Sequence, residues 1–232
     1  MEIGDIISDA LTYPFSNIKA LVIYVILGII AGLVGGAGLV GILSGNFAGD
    51  ALGIIGMVIC VLIFFLIMGY ELDIVKYGIN KDSTAPSIEF GRQIGNALKL
   101  IVVGIVYYII PVIIAAVLGF LLGNGILTNI ISIIIIIVFA LAQFMAKCRL
   151  AKTDSLGEAL AFGEAIGDIS RVGLAKLLIT VIIIFVIVAI VTFIIMAVMN
   201  LNATIGGILL GIFAVYTVFF VNRATGLLYS EV

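Results

Sequence analysis

Acid–base, nucleophilic and metal chemistry each need particular side chains at particular spacings. The chain of 232 residues contains no His, which removes the commonest general base and the commonest metal ligand. Cys60 and Cys148 stand far apart and outside any Cys-x-x-Cys pair, so their spacing supports neither a zinc site nor a disulfide framework. Cys60 reads as a small core hydrophobe. Glu71 and Asp73 come nearest to a catalytic carboxylate pair. No nucleophile or second base is recognisable beside them, and Lys76 follows on the same segment, so pairing within one water-facing helix end accounts for them. Gly36-Ala37-Gly38-Leu39-Val40-Gly41 has the glycine spacing of a dinucleotide-binding turn. That turn must follow a strand and open a helix, whereas this one sits inside an apolar run. The expectation is therefore a non-enzyme with no catalytic residue, cofactor or metal.

The elements that would hold these residues follow from composition. Apolar residues make up 64% of the chain and charged residues 10%, with a mean hydropathy of +1.44. Eleven basic and thirteen acidic side chains cannot cover a water-soluble domain of this size. An integral membrane protein is expected, in contact with the lipid bilayer. A net charge of −2 gives no basic footprint for nucleic acid. Met1-Glu2-Ile3-Gly4-Asp5 lacks the basic start of a cleavable signal peptide.

Six apolar runs reach the roughly 20 residues a span needs: Ile18 to Leu43, Ala51 to Tyr70, Leu98 to Leu122, Ile126 to Ala146, Leu174 to Met199 and Ala203 to Val221. Asp50 is expected to cap the second and Pro111 to kink the third. Unbroken Ile, Leu and Val runs predict helices, since a membrane barrel would alternate apolar and polar residues. With six spans, every Lys and Arg falls on the side holding both termini. By the positive-inside rule, both termini are expected in the cytoplasm, in the cell membrane.

Between the spans, periods of three and four predict interfacial helices. Glu2, Asp5, Asp9 and Thr12 oppose Ile3, Ile6, Ile7, Ala10 and Leu11. Glu89, Arg92, Gln93 and Asn96 oppose Phe90, Ile94 and Leu98. Ser155-Leu156-Gly157-Glu158 has capping-box spacing and leads to Glu164 and Asp168, set against Leu160 and Ile166. Asn46, Asn124 and Asn202 recur every 78 residues in the three outer turns. This suggests three parallel units within one domain spanning 1–232, with bounds 1–79, 80–153 and 154–232. The expected fold is all-α: six transmembrane helices as three hairpins about a pseudo-threefold axis, with interfacial helices on the cytoplasmic side.

Tyr13-Pro14, Gly69-Tyr70 closing the second span, the Pro86 loop and Tyr107 in the third span carry a family likeness. On these residues the chain resembles an uncharacterised multi-pass membrane family, domain of unknown function 4013, known from methanogenic archaea and some bacteria. The resemblance covers nearly the whole chain. It implies membrane placement and no established activity.

Three residue sets remain as candidate sites. Gly28, Gly32 and Gly36, then Gly41, Gly45, Gly49 and Gly53, Gly119 with Gly123, and Gly207 with Gly211 repeat at four-residue spacing, which predicts close helix packing. Apart from Lys19, Lys99 and Lys176 at their very starts, the apolar runs hold no Asp, Glu, Lys or Arg, which argues against a coupled ion transporter. Asn129, Ser132, Gln143 and Thr180 are the polar residues that could line a gap; Thr192 and Thr217 join them as interhelical hydrogen-bonding groups. Tyr24, Tyr70, Tyr107, Tyr108 and Tyr216 fit an interfacial belt. Glu164 and Asp168 form a candidate partner surface. The leading expectation is a membrane scaffold or assembly partner, binding another membrane protein or its own copies. The alternative is a permease or channel for a small neutral or lipidic substrate.

Overall fold

The computed structural model describes residues 1–43, 47–123 and 125–232, together with the backbone but not the side chains of Phe47, Ala48, Ala203 and Thr204. Two of the three turn asparagines, Asn46 and Asn124, lie outside the described residues. The third, Asn202, caps a helix by accepting the Ile205 N–H at 3.0 Å. Among the described residues the regular structure is all helical, with no strand, and the longest non-helical stretch is 80–89. The helices are α1 (Ile3–Ser16), α2 (Ile18–Leu43), α3 (Phe47–Ile79), α4 (Phe90–Leu122), α5 (Ile126–Thr153), α6 (Leu156–Ala159), α7 (Phe162–Val172), α8 (Leu174–Leu201) and α9 (Ala203–Tyr229). Six of them, α2, α3, α4, α5, α8 and α9, are long and apolar enough to cross a membrane. This is a multi-pass membrane protein.

The spanning helices outrun their apolar stretches. α3 continues past Tyr70 to Ile79, α5 past Ala146 to Thr153, and α9 past Val221 to Tyr229. Nothing in these extensions breaks a helix, so the backbone keeps its internal hydrogen bonds. α4 begins at Phe90, so residues 90–96 are its first turns and not the separate interfacial helix expected there. α4 also runs through Pro111 without ending. Asp50 lies within the first turn of α3, where its charge suits the helix N-terminus, and not at the cap. Gly123 (φ 76°) and Gly173 (φ 92°) close α4 and α7 in backbone conformations that L side chains rarely adopt.

Helices α2–α3, α4–α5 and α8–α9 form antiparallel hairpins, and the second members, α3, α5 and α9, all meet one another. The bundle has a polar end, carrying both termini and α1, α6 and α7, and an apolar end at the hairpin turns. α1 packs on α9, and α7 on α5 and α8. α1 buries Ile6, Ala10 and Tyr13, while α7 buries Ala165, Ile169 and Val172.

The hairpin α2–α3 closes along glycines, on Gly41 and Gly53 of the second expected row but not on Gly28, Gly32 and Gly36. Gly45 lies outside the described residues. A methyl group at Gly38 would lie 2.8 Å from the Gly53 carbonyl oxygen, and one at Gly56 2.8 Å from that of Val34. Gly35 meets Cys60 in the same seam. By contrast, a methyl at Gly32, Gly36, Gly207 or Gly211 meets nothing within 4 Å, and Gly28 makes ordinary contact with Val215. Gly123 serves the turn and is open on all sides, and Gly119 is half-buried. Four-residue spacing identifies a stripe, but the adjoining three-residue stripe Gly35, Gly38 and Gly41 is the one that faces α3.

Candidate functional site

Charged side chains gather where α3, α5 and α9 leave the apolar stretch, and each exit is tied to a different neighbouring segment. On α3, the buried carboxylate of Asp73 accepts from Arg92 Nε (3.3 Å), Arg92 Nη2 (3.2 Å) and Asn96 Nδ2 (3.0 Å). Arg92 also donates to the Ser87 carbonyl at 2.6 Å and pairs with Glu89 at 2.8 Å. On α5, Arg149 donates through Nη1 to Asp168 (3.1 Å) and through Nη2 to Glu158 (2.6 Å). On α9, Arg223 is 1% exposed. Its Nε donates to Asp9 Oδ1 of α1 at 2.7 Å, its Nη1 to the carbonyls of Tyr77 and Asp82, and its guanidinium lies 4.7 Å from the Tyr13 ring centroid.

One further set joins all three helices. Lys147 of α5 donates to Glu71 of α3 at 2.8 Å and to Asn222 of α9 at 2.6 Å. Outside this set, Lys99 pairs with Asp154 (2.5 Å) and Lys176 with Glu231 (2.8 Å). Glu71 and Asp73 are therefore interhelical partners, not an intrahelical pair with Lys76.

Tyrosine hydroxyls act as struts, three between spans and polar-end segments and one, from Tyr13, between α1 and the 80–89 loop. Tyr13 donates to the Thr84 carbonyl (3.0 Å), Tyr70 to Pro86 (3.1 Å), Tyr107 to Ala159 (2.9 Å) and Tyr216 to Leu11 (2.9 Å). Burial pushes the Tyr13 phenol above its usual range, with Arg223 pulling the other way; it stays a donor. Tyr24, Tyr70 and Tyr107 are buried, with Tyr24 stacked on Tyr70 at 4.2 Å. Of the expected belt, Tyr108 is strongly exposed. Each buried ring had an apolar neighbour and most a carbonyl to meet, so the interior won over the interface.

The expected partner row divides. Glu164 is exposed and receives Arg171 at 3.2 Å. Asp168 is fully buried: Arg149, Arg171 and the Tyr229 hydroxyl all donate to it. It is an internal hub and not a surface. The polar positions of 89–96 invert in the same way. Gln93 and Asn96 are buried against α3, while Phe90 and Leu98 point outward. Gln93 sits so close to Gly69 that any side chain there would collide with its backbone.

The four possible lining residues do not share a gap. Asn129 is exposed, Ser132 and Gln143 are half-buried, and Gln143 lies beside Gly104 of α4. Thr180 is buried on α8, and its hydroxyl has no hydrogen-bond partner among the described residues. Chemically, the polar layer neutralises charge. No group of three potential metal ligands occurs among the described residues. Cys148 is fully buried, with Sγ 3.9 Å from the Thr225 carbonyl.

The family model described as "Protein of unknown function (DUF4013)" matches residues 51–201. The chain belongs to this family. No curated protein and no solved structure matches it. The DUF4013 match contains two of the three braces, Asp73–Arg92 and Arg149–Asp168, and leaves outside it the third, Arg223–Asp9, which joins α9 to α1. Sequence reading missed the braces, although a signal was present. Asp73 and Arg92 are separated by 19 positions, and so are Arg149 and Asp168. The signs are exchanged, and that swap hides the likeness from residue identity.

Proposed function

We propose that this protein is a non-enzymatic membrane scaffold or assembly partner in the cell membrane, with both termini cytoplasmic. The carrying observation is the set of three braces, each tying the exit of one hairpin to a neighbouring segment. Alternating access in a transporter works by rocking one bundle against another. Here such rocking would part buried ion pairs, and stranding one partner of a buried pair costs about 3–5 kcal/mol. A frame closed at its polar end suits a platform better than a gate. The recurring braces also support three parallel units, 1–79, 80–153 and 154–232, about a pseudo-threefold axis. Glu164, the exposed part of the expected row, remains the acidic candidate for contact with a partner protein or a second copy.

The unpartnered Thr180 hydroxyl favours the alternative, a permease for a small neutral or lipidic substrate. Copurification of the tagged full chain in mild detergent separates the two. A stoichiometric membrane-protein partner, lost on Glu164→Lys, is the expected result. A lone protein that supports flux in liposomes and loses it on Thr180→Val would overturn the scaffold. Sidedness rests on the placement of all Lys and Arg at the end holding both termini. Asn202→Cys should react with an impermeant thiol reagent in whole cells, and Lys81→Cys should not. The reverse labelling would invert the topology.

A further inference from the structure

Three lysines stand near the polar-end starts of the first helices of the hairpins: Lys19 on α2, Lys99 on α4 and Lys176 on α8. Two are neutralised inside the chain by a carboxylate 55 residues further on, Lys99 by Asp154 and Lys176 by Glu231. For Lys19 the corresponding position is Ile74, which is buried. The nearby carboxylate, Asp73, is already held by Arg92 and Asn96. Lys19 is exposed and has no ion-pair partner among the described residues.

Lys19 also borders a cleft of about 550 Å³ between the α1–α2 junction and the Pro86 loop. Ser16, Asn17 and Lys19 form its polar part. The Ser16 hydroxyl and the Asn17 amide already donate to backbone carbonyls of Thr12, Tyr13 and Ser83, which leaves Lys19 as the free donor among the described residues. Ile23, Pro86 and Ile88 carry the cleft into apolar surface. Phe15, Ile18 and Val22 on the same stretch are exposed, as befits side chains in contact with lipid. A cation at the mouth of an apolar cleft, at the depth where a span leaves the bilayer, complements a phosphodiester headgroup continuing into acyl chains.

We infer that the cleft at Lys19 and Ile88 binds the headgroup and upper acyl region of one anionic glycerophospholipid. The lipid phosphate takes at Lys19 the place that Asp154 and Glu231 hold at the other two lysines. The site does not depend on the scaffold reading.

The test uses the purified full chain in neutral detergent, titrated with phosphatidylglycerol or phosphatidylcholine and read by native mass spectrometry and thermal melting. One phosphatidylglycerol should be retained about fivefold more strongly than phosphatidylcholine, the size expected for one cation near a membrane surface. Lys19→Gln should abolish that preference, Lys19→Arg should keep it, and Lys81→Gln, which removes an exposed cation from the 80–89 loop, should leave it unchanged. Ala85→Leu, which fills the cleft while leaving Lys19 in place, should lower retention as much as Lys19→Gln does. Melting without lipid controls for folding; if Lys19→Gln does not fold, Ala85→Leu and Lys19→Arg decide. Full preference in Lys19→Gln, undiminished phosphatidylglycerol retention in Ala85→Leu, an equal loss in Lys81→Gln, or the same melting shift with inorganic phosphate alone would overturn the proposal.

Discussion

The two ends of the bundle are held together by different forces. At the polar end, Arg223, Asp168 and Asp73 are buried together with Tyr24, Tyr70, Tyr107, Phe219 and Phe220. Helices α3, α4, α5, α8 and α9 are tied to neighbouring segments by charged or phenolic groups, and α2 joins them through the stacking of Tyr24 on Tyr70. At the apolar end, Leu43, Phe120, Ile126 and Leu201 are largely exposed, and the tight contacts are made by glycines, in the seam of α2 and α3 and where Gly206 of α9 meets Met199 of α8. The difference follows from the solvent. Lipid is as apolar as leucine, so burying leucine against leucine gains little inside a bilayer. Cohesion there comes from close backbone approach. Where the helices emerge, polar partners can be satisfied and apolar burial regains its driving force.

The largest expected effect is at the polar end. Arg223→Ala removes a buried cation and its hydrogen bonds to the Asp9 carboxylate and two carbonyls. Because Asp9, 38% exposed, regains water, it should cost about 3 kcal/mol, the lower end for a broken buried pair, read as a lowered melting midpoint in detergent. The double variant with Asp9→Ala should lose less than the sum of the two single losses. Additive losses would mean that the two groups do not act as a pair.

The seam at the apolar end comes next. Gly38→Leu forces bulk against the Gly53 carbonyl and should cost at least the ~1–3 kcal/mol of ordinary overpacking. Gly32→Leu, pointing into open space, should change stability by no more than about 0.5 kcal/mol. Equal melting of the two variants would move the seam to another face.

A single strut should weigh less. Tyr107→Phe leaves the Ala159 carbonyl without its phenolic donor and should cost about 1 kcal/mol, visible as faster amide exchange in α6 and the start of α7.

The smallest effect is a titration at the exposed rim. Glu231 is held down to about 2 by the hydrogen bond from Lys176, and next by the amino group of Met1. Its folded value lies below its ordinary value of 4.5, so its contribution is complete above that pH and fades as pH falls toward about 2. Melting followed from pH 7 to pH 3 should show a small acid destabilisation that Lys176→Met reduces. An unchanged acid limb would assign it to another carboxylate.

Much of this architecture is written locally. The six spans, their ends at the hairpin turns, α1 with its buried Ile6 and Ala10, and the Ser155 cap on Glu158 follow from runs of about 20 residues or fewer. Family membership was likewise legible from Gly69-Tyr70, the Pro86 loop and Tyr107, which lie within the matched residues 51–201, whereas Tyr13-Pro14 lies outside them. The polar layer was not. A helical wheel sets Asp168 with Glu164 on a wet face, yet Arg149 and Tyr229, from two other helices, enclose it. The wheel likewise sets Gln93 and Asn96 outward, and the close approach of α4 to Gly69 turns them in.

Sequence by itself determined that the chain lives in a membrane, how many times its helices can cross it, and that its charges collect at one end. These depend on transfer free energies summed along a continuous segment, and each segment carries its own sum. Tertiary structure alone decided which glycine stripe is a contact, which carboxylate is buried and which lysine is left without a partner. Those depend on which face of a helix meets its neighbour, and a uniformly apolar span carries no moment to announce that rotation. It is set by the other helices.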